Sequence, residues 1–377
     1  MATATEKRIR RPRRARESSN GARPKLTPRE RVEVRIGRIM AALPPKAQIK
    51  LSGKPPITRE GLTLAPDIQL MLANMERQNL PPIETLPPPQ ARAAVLHQSQ
   101  AYAGPEIEVK EVHDIEVDGA AGPIKARHYV PPDTGTPGPQ PLIVYYHGGG
   151  FVICDLDTHD APCRLLCHYG GVHVLSIDYR LAPEFPFPAP VEDCQAALRW
   201  AFEHVTELGA DPERIGVGGD SAGGNLSTGM TLLARKGENP MPRFQLLIYP
   251  VTDFANPHPS RHAFAEGFFL TQSEMDWFHE QYALNVSADA NDPRLSPLLV
   301  DDLSGLPPAY ICTAGFDPLR DEGEAYADRL RAAGNSVVLR RFPGLIHGFA
   351  NMTAASRTSR DAMIEIAGSM RAMLGSL

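Results

Sequence analysis

Short apolar runs alternate with longer amphipathic stretches from about residue 106 onward, and this alternation constrains the fold more than any other feature of the chain. Residues 142–146, 172–177 and 246–249 are almost continuously apolar. Runs of this kind are typical of central parallel strands that are covered by helices on both faces. The pattern therefore predicts an open α/β sheet, in which ligands bind beyond the carboxyl ends of the strands.

Eight strands and five covering helices are predicted in this region. The strands fall at residues 107–117, 124–130, 142–146, 172–178, 215–217, 244–249, 309–313 and 336–341. The helices fall at about residues 158–169, 189–208, 222–236, 321–333 and 357–375. We thus expect a mostly parallel eight-stranded sheet with helices on both faces.

Two amphipathic segments precede the sheet region. Residues 28–43 and 66–79 each place apolar side chains on one helical face. The first segment is also rich in arginine, so a helix on a membrane surface is an alternative, although packing on a protein body is the commoner use of such a face. Prolines between residues 81 and 89 then end the helical pattern and predict a stiff linker.

A long excursion separates the predicted strands at 244–249 and 309–313. It contains a predicted helix at 273–282 and is too long for an ordinary connection, which suggests a lid over the strand ends. We therefore expect an N-terminal helical cap at residues 26–105 and a cap insertion at residues 254–292. The α/β domain would then consist of residues 106–253 and 293–377.

The charged residues give no sign of a nucleic-acid partner, because the net charge is −5 and both signs are spread along the chain. Residues 1–25 are the exception, since they are strongly basic but lack the apolar segment of a secretory signal. We interpret them as a disordered basic tail; contact with a membrane surface or a nucleic acid is the less favoured alternative. The chain has no apolar run long enough for a membrane span.

The cysteines suggest a reducing environment. Their number is odd, and their spacing is not that of a disulfide framework, so we expect reduced thiols and a cytoplasmic location. Cys163, Cys167 and His168 stand close together in the sequence, but a closed zinc site needs four ligands and no second pair is near. We therefore expect no metal and no cofactor.

Residues 219–223 read Gly-Asp-Ser-Ala-Gly and lie between a predicted strand and a predicted helix. In that context the Gly-x-Ser-x-Gly motif places Ser221 on the sharp turn that is called a nucleophile elbow. Glycine flanks the serine because the turn leaves no room for neighbouring side chains. The motif alone is weak evidence, since a glycine-rich loop that only turns the chain or holds a phosphate would look the same.

Residues 147–151 read His-Gly-Gly-Gly-Phe and directly follow a predicted strand. Successive glycines allow main-chain N–H groups to approach a ligand closely, as an oxyanion hole requires. We assign the oxyanion donors to Gly149 and Gly150, together with Ala222 after the nucleophile; Gly148 is a less favoured donor. A phosphate-binding turn is the alternative, but it lacks a Lys-Ser/Thr pair and a Gly-x-Gly-x-x-Gly fingerprint.

A serine nucleophile needs a histidine base and a carboxylate that holds the base in one tautomer. In a strand–elbow–helix fold the acid and then the histidine follow the serine, each on a loop after a strand. Asp317 follows the predicted strand at 309–313, and His347 follows the strand at 336–341. We therefore predict a catalytic triad of Ser221, Asp317 and His347.

Two other acids, Asp321 and Glu322, compete with Asp317 for this role. Both fall inside the predicted helix at 321–333, so we expect their side chains to face solvent.

Several residues near these motifs are candidates for contacts with the substrate. The aromatic ones would form an apolar acyl pocket, although core packing explains each of them nearly as well. The candidates are Phe151, Asp220, Phe268 and Phe269.

Together these motifs resemble the hormone-sensitive-lipase-like branch of carboxylesterases, the bacterial family IV. The resemblance covers about residues 105–350 and rests on the motifs at 147–151, 179–184, 219–223, 317–321 and 347–349. It implies an α/β-hydrolase fold with a two-part helical cap, a small-molecule ester as substrate, and a homodimer. It also implies that His147 and residues 179–184, which read Tyr-Arg-Leu-Ala-Pro-Glu, orient the oxyanion loop.

The expected activity is hydrolysis of short- to medium-chain acyl esters through an acyl-enzyme, because the chain has no long apolar surface segment for a lipid interface. Two rival functions remain open. An amidase or peptidase could use the same triad, since a fold does not fix the substrate. A non-catalytic ligand receptor could use the same scaffold after the loss of a triad member, but His347 is present and counts against it.

Overall fold

The structure is a computed structural model that describes residues 35, 37, 39–103, 105–133, 135 and 138–376. The predicted basic tail at residues 1–25 and most of the predicted helix at 28–43 lie outside the described residues. The last part of that helix, residues 39–41, is helical.

An eight-stranded sheet forms the centre of the protein, in agreement with the prediction. Before it, β1 (Thr58–Arg59) and β2 (Leu62–Thr63) form a separate antiparallel hairpin. The strands of the large sheet are β3 (Glu111–Gly119), β4 (Gly122–Val130), β5 (Gln140–Tyr146), β6 (His173–Ile177), β7 (Ala210–Asp220), β8 (Gln245–Ile248), β9 (Ala309–Phe316) and β10 (Val337–Ile346). Each predicted strand overlaps an observed one, and the predicted and observed ends differ by at most five residues.

The strand order across this sheet is β10-β9-β8-β7-β5-β6-β4-β3. All neighbours from β10 to β6 are parallel, whereas the β6–β4 and β4–β3 pairs are antiparallel. The sheet is therefore mostly parallel, and the carboxyl ends of β5, β7, β8, β9 and β10 meet at one edge. Loops at such an edge carry the ligand-binding groups of open α/β sheets.

Helices α1 (Pro45–Ser52), α2 (Pro66–Gln78) and α3 (Pro88–Ala103) precede the sheet. Of these, α2 matches the predicted helix at 66–79, whereas α1 and α3 were not predicted. The prediction of a stiff linker at 81–89 is wrong in its second part, because α3 begins at Pro88. Proline is tolerated there, since the N–H groups of a first helical turn have no partner within the helix.

Helices cover both faces of the sheet, as predicted. On one face lie α4 (Asp160–Gly170) and α10 (Arg357–Gly375); on the other lie α5 (Ala189–His204), α6 (Ala222–Arg235) and α9 (Arg320–Ala332). Two further helices, α7 (Pro259–Ala263) and α8 (Gln272–Tyr282), belong to the excursion between β8 and β9. None of the helices in the described ranges is long and apolar enough to cross a bilayer.

The central strand β5 shows why its sequence is continuously apolar. Its side chains alternate between the two faces: Ile143 and Tyr145 belong to the core under α4 and α10, and Val144 and Tyr146 belong to the core under α5 and α6. All four are fully buried. A strand that is covered on both faces is expected to read as a nearly continuous apolar run, and β5 does.

Two buried histidines join β4 to β6 in the antiparallel half of the sheet. The Nε2 atom of His128 lies 2.9 Å from Nδ1 of His173, and the rings stack with centroids 5.1 Å apart. Burial lowers the pKa of His128 to about 3, and the neighbouring His173 and His113 lower it as well. Burial, followed by Lys110, lowers the pKa of His173 to about 4. The folded protein therefore keeps both rings neutral at neutral pH.

This histidine pair predicts a loss of stability in mild acid. An unfolded histidine has a pKa of about 6.5, above both folded values, so the unfolded state binds more protons as the pH falls from about 7 to about 4. The free energy of unfolding should fall by up to about 1.4 kcal/mol per pH unit for each histidine. Urea unfolding at several pH values should show a flatter dependence for His128→Gln. The exposed His262→Gln control should keep the original slope, and equal slopes in all three proteins would contradict the assignment.

Candidate active site

Ser221 lies on a sharp turn between the end of β7 and the start of α6. Its backbone has φ 54° and ψ −117°, a strained conformation for a residue with a side chain. The turn depends on close contacts that only glycine allows. A methyl group at Gly223 would lie 1.8 Å from the carbonyl oxygen of Tyr146, and one at Gly219 would lie 2.4 Å from the same atom. The motif thus folds as an elbow, with its serine at the apex.

The structure brings Ser221, His347 and Asp317 into one line of hydrogen bonds. The Oγ atom of Ser221 lies 3.0 Å from Nε2 of His347, and Nδ1 of the same ring lies 2.9 Å from Oδ2 of Asp317. Because Nδ1 faces a carboxylate, it carries a proton, and Nε2 is left to accept the proton of the serine hydroxyl. The arrangement has the geometry of a nucleophile, a base and an orienting acid.

Both partners of Ser221 lie on loops at the carboxyl ends of neighbouring strands. Asp317 directly follows β9, and His347 directly follows β10. The N–H group of Leu319 donates to Oδ1 of Asp317 over 2.8 Å, so both carboxylate oxygens are held. Asp317 is fully buried, whereas His347 and Ser221 are 6% and 9% exposed, which leaves the reactive end of the relay open to a ligand.

The three-glycine turn at residues 148–150 follows β5 and borders the same cavity as Ser221. Gly149 and Gly150 have φ values of 111° and 58°, in the region that favours glycine. Within the described part of the chain, the N–H groups of Gly149, Gly150 and Ala222 have no protein acceptor. These are the three groups that the sequence suggested as oxyanion donors.

Asp220, which we expected to contact the substrate, borders the cavity, and its carboxylate is bound by groups of the protein. It is 3% exposed, and its Oδ1 atom accepts the hydroxyl of Tyr145 at 2.7 Å and the N–H group of Gly148 at 2.9 Å. Burial would raise the pKa of Asp220, but His159 and then these hydrogen bonds lower it to about 2. The ionised carboxylate therefore holds the first glycine of the turn, whose N–H is no longer free for an oxyanion.

His147 lies behind the glycine turn. Its Nδ1 atom is 2.7 Å from the carbonyl oxygen of Gly148, and its ring stacks on Tyr179 with centroids 4.4 Å apart. The hydroxyl of Tyr179 donates to the carbonyl of His147 over 2.7 Å. These contacts agree with the orienting role that the resemblance implied for His147 and residues 179–184.

Arg92, from the N-terminal part of the chain, binds both the segment after the glycine turn and the segment 179–184. Its guanidinium donates to the carbonyl of Val152 and to the carbonyl of Ala182, each over 2.8 Å. It also forms a two-pronged contact with the carboxylate of Glu184. Sequence reasoning could not find Arg92, because α3, the helix that carries it, was not predicted.

A cavity of about 1180 Å³ extends over Ser221 and His347. Most of its wall is apolar, and two distant parts of the chain supply the larger side chains. The N-terminal part contributes Leu70, Met71, Met75 and Val95, and the excursion after β8 contributes Phe254, Phe269, Met275 and Phe278. This volume of about 1180 Å³ is somewhat above the usual range for small-molecule sites, roughly 300–1,000 Å³.

The three aromatic pocket candidates fall in different places. Phe151 and Phe269 border the cavity. Phe268 does not, so this candidate is wrong: it is 4% exposed and packs against Phe264 and Phe316, with ring centroids 5.6 Å and 5.2 Å away. The backbone bends at Phe269, which has a positive φ of 77°, and only Phe269 of the pair faces the cavity.

Two residues of α8 at the cavity were not predicted. The ring of Phe278 covers the glycine turn so closely that a methyl group at Gly150 would lie 2.2 Å from it. Glu274 forms a capping box with Thr271 at the start of the helix, and burial raises its pKa to about 7. The spacing of four residues between Glu274 and Phe278 was the available signal, because such residues share one face of a helix.

Glu322 corrects another expectation, since it is fully buried and does not face solvent. Its Oε2 atom is bound by two nitrogens of Arg261, from α7. The neighbouring Asp321 accepts the N–H group of Ser260, whose hydroxyl donates to the carbonyl of Pro318 over 2.7 Å. The excursion after β8 is thus attached to the loop that carries the triad acid. Helical periodicity could not reveal this contact between distant segments.

A family model for the alpha/beta hydrolase fold matches residues 143–351 of this sequence. The chain belongs to the α/β-hydrolase family. The eight-stranded sheet, the elbow and the order of the triad residues are those expected of it. The predicted fold is confirmed, and so is the resemblance to hormone-sensitive-lipase-like carboxylesterases.

Curated relatives of this α/β-hydrolase cover most of its length. It is 47% identical over 348 residues to the carboxylic ester hydrolase LipN of Mycobacterium tuberculosis, a match that covers 90% of this chain and 92% of that protein. It is 37% identical over 307 residues to an ethyl acetate hydrolase of Pseudomonas putida, with 80% and 96% of the two chains covered.

Two solved structures are also similar to this chain over most of its length. A serine-to-alanine mutant of an α/β-hydrolase enzyme from the metagenome of Lake Arreo superimposes with a TM-score of 0.80 at 45% identity, over 83% of this chain and 99% of that one. The thermostable carboxylesterase EstE1, from a metagenomic library, gives a TM-score of 0.72 at 42% identity, over 77% and 98%.

The close contact at Gly223 predicts opposite effects for two glycines of α6. In Gly223→Ala the new methyl group meets a carbonyl of β5 that cannot move without disturbing the sheet, so stability should fall by about 3 kcal/mol or more and activity should be lost. A methyl group at Gly229 would meet no atom within 4 Å, so Gly229→Ala should gain about 0.5–1 kcal/mol from helix propensity. Urea unfolding compares the two variants, and equal stability would contradict the tight elbow.

Proposed function

We propose that this α/β-hydrolase is a serine carboxylesterase in which Ser221, His347 and Asp317 carry out the hydrolysis of carboxylic esters. The observation that carries the proposal is the hydrogen-bond relay, with contacts of 3.0 Å and 2.9 Å between the three side chains. The relay opens into a largely apolar cavity, which suits an uncharged ester. The names of the curated relatives, a carboxylic ester hydrolase and an ethyl acetate hydrolase, support the same reaction.

The reaction begins when Oγ of Ser221 forms a bond to the ester carbonyl carbon while its proton moves to Nε2 of His347. Asp317 stabilises the resulting imidazolium and does not itself take up the proton. When the tetrahedral intermediate collapses, the bond to the alcohol oxygen breaks and the proton on His347 goes to that oxygen. Water that loses a proton to His347 then attacks the acyl-enzyme and releases the acid and the serine.

The N–H groups of Gly149, Gly150 and Ala222 are proposed to bind the oxyanion. Their lack of protein acceptors within the described residues supports this role. Ala222 is also the first residue of α6, where the helix dipole favours negative charge. The loss of one such donor typically costs about 3 kcal/mol of transition-state stabilisation.

Short- to medium-chain acyl esters are the proposed substrates. The relative named ethyl acetate hydrolase supports a small acyl group. A cavity of about 1180 Å³ has room for an alcohol group much larger than ethanol, so the two sides of the ester need not be of similar size. Phe151 and Phe269 would contribute apolar surface to this pocket, and the amidase function stays the alternative.

The remaining parts of the proposal concern the cap and the surroundings of the protein. Residues 26–105 and 254–292 are proposed as the two parts of the cap, because side chains from both border the cavity. The free state of all five cysteines supports a reducing, cytoplasmic location. A homodimer is proposed from the family resemblance alone.

A series of p-nitrophenyl esters tests the nucleophile and the acyl range together. Turnover should be fastest with short or medium acyl chains. Ser221→Ala should lower kcat by about 10⁶-fold and Asp317→Asn by about 10⁴-fold, because the first removes the nucleophile and the second leaves the wrong histidine tautomer. Full turnover by Ser221→Ala would exclude this serine. Faster hydrolysis of emulsified long-chain triglyceride would contradict the acyl range.

A matched ester and amide separate the esterase from its amidase rival. We expect kcat/KM for p-nitrophenyl butyrate to exceed that for the corresponding anilide by roughly a thousandfold, about 4 kcal/mol in activation free energy. The amine is the poorer leaving group, so its release depends more strongly on proton donation by His347. Comparable values for the two substrates would replace the esterase proposal with an amidase.

A further inference from the structure

A polar cluster beneath the three-glycine turn has no role in the reaction steps above. Its centre is a buried pair, in which Nε2 of His159 lies 3.2 Å from Oδ1 and 3.3 Å from Oδ2 of Asp220. His159 immediately precedes α4, is 1% exposed, and borders the cavity. Since the same carboxylate accepts the N–H group of Gly148, the pair contacts the turn from behind.

We propose that His159 is a positioning residue for the oxyanion hole and acts through Asp220 on the turn that begins at Gly148. It holds the Asp220 carboxylate in the one direction that binds the N–H group of Gly148. It also counters the negative charge of Asp220 next to the place where an oxyanion forms. The inference rests on the proposed function, because an oxyanion arises only when Ser221 attacks a carbonyl group.

Hydrogen-bond roles fix the proton on Nε2 of His159. This atom faces the carboxylate of Asp220, which accepts and cannot donate. The Nδ2 atom of Asn351 lies 3.1 Å from the same atom, while its Oδ1 is buried without a partner among the described residues. Turning this amide by 180° places Oδ1 next to the Nε2–H group, which then has two acceptors. Asn351 belongs to the turn that follows His347, so His159 connects the oxyanion side of the site to the base side.

The carboxylate of Asp220 packs closely against Gly148. A methyl group at Gly148 would lie 2.4 Å from Oδ2 of Asp220 and 2.9 Å from its carbonyl oxygen. The direction of this carboxylate therefore determines the direction of the Gly148 N–H group and of the two glycines after it. Apart from His159, Oδ2 has a hydrogen-bond contact with the hydroxyl of Tyr249, which is distant at 3.5 Å. Loss of His159 would thus free one side of the carboxylate.

The negative charge of Asp220 gives a second reason why His159 should affect catalysis. Asp220 directly precedes Ser221, and its carboxylate is buried in a medium that screens charge poorly. A negative charge at that position opposes the build-up of a second negative charge on the substrate oxygen. A ring N–H group that donates to the carboxylate reduces this opposition. The effect is larger in the transition state than in the bound ester, so kcat should depend on His159 more than KM does.

Steady-state kinetics of His159→Phe and His159→Gln test the inference, with p-nitrophenyl butyrate as substrate. His159→Phe keeps a ring but removes the N–H donor, so kcat should fall about 10- to 100-fold while KM changes less than about twofold. His159→Gln keeps an N–H donor and should recover part of the loss. His168→Gln is the control from the adjoining helix α4, since its half-buried ring contacts the carbonyl of Glu108 and should leave kcat unchanged.

Titration of Ser221 with a fluorophosphonate gives the concentration of folded active sites in each variant. If kcat per titrated site in His159→Phe equals that of the wild type, the residue has only a structural role and the inference is overturned. A reduced kcat per site, restored in part by glutamine, supports it.

The binding of two ketone inhibitors distinguishes an effect on the oxyanion hole from a general loss of stability. A trifluoromethyl ketone forms a hemiketal with Ser221 whose oxyanion occupies the hole, whereas the matching methyl ketone binds without that charge. His159→Phe should weaken the first inhibitor by the same factor as kcat and leave the second unchanged. Equal weakening of both would overturn the inference.

The same inhibitors separate this inference from the proposed function. Absence of ester hydrolysis in both the wild type and His168→Gln would overturn the esterase. The ketone comparison would still decide the role of His159, because inhibitor binding requires attack by Ser221 but no turnover. If the wild type does not distinguish the two ketones, both proposals fail.

Discussion

The whole site depends on one close contact, where the first turn of α6 meets the end of β5. At Gly223 nothing larger than a hydrogen atom fits against the carbonyl oxygen of Tyr146. This contact makes the connection from β7 to α6 so short that Ser221 must take its strained backbone conformation, with φ 54°. The serine side chain then projects from the strand end, and the N–H group of Ala222 has no acceptor among the described residues at the helix start. One packing constraint therefore accounts for both the position of the hydroxyl and the N–H group beside it that has no acceptor among the described residues.

The order of the parallel strands brings the other parts of the site to Ser221. The triad acid, the triad histidine and the glycine turn follow β9, β10 and β5, whose carboxyl ends meet at one edge of the sheet. None of these loops is near another in sequence, but the strand order brings them together around Ser221. The distances in the relay are thus set by the rigid sheet and only adjusted by local hydrogen bonds.

The sequence correctly predicts those structural features that depend on residues close together in the chain. The alternation of short apolar runs with amphipathic stretches located all eight strands of the large sheet. The glycine spacing located the elbow, because the steric reason for those glycines is local. The start of helix α3 was misread as part of a linker, since prolines at a helix start look the same as prolines in a loop. Phe268 and Glu322 were misjudged for a different reason. Their burial follows from contacts with segments far away in the chain, which residue type and spacing do not encode.

Two buried acids, Asp220 and Glu322, explain how the strained turn is kept in place. Burying a carboxyl group costs several kcal/mol unless hydrogen bonds satisfy it, so each buried acid must be matched by fixed partners. Asp220 is satisfied by the glycine turn and by His159, and Glu322 by Arg261 of the excursion after β8. Each acid thereby ties a loop with a reactive group to a second element. Apolar packing tolerates small shifts, whereas such directional contacts do not, and strain at Ser221 persists because its surroundings are held on several sides.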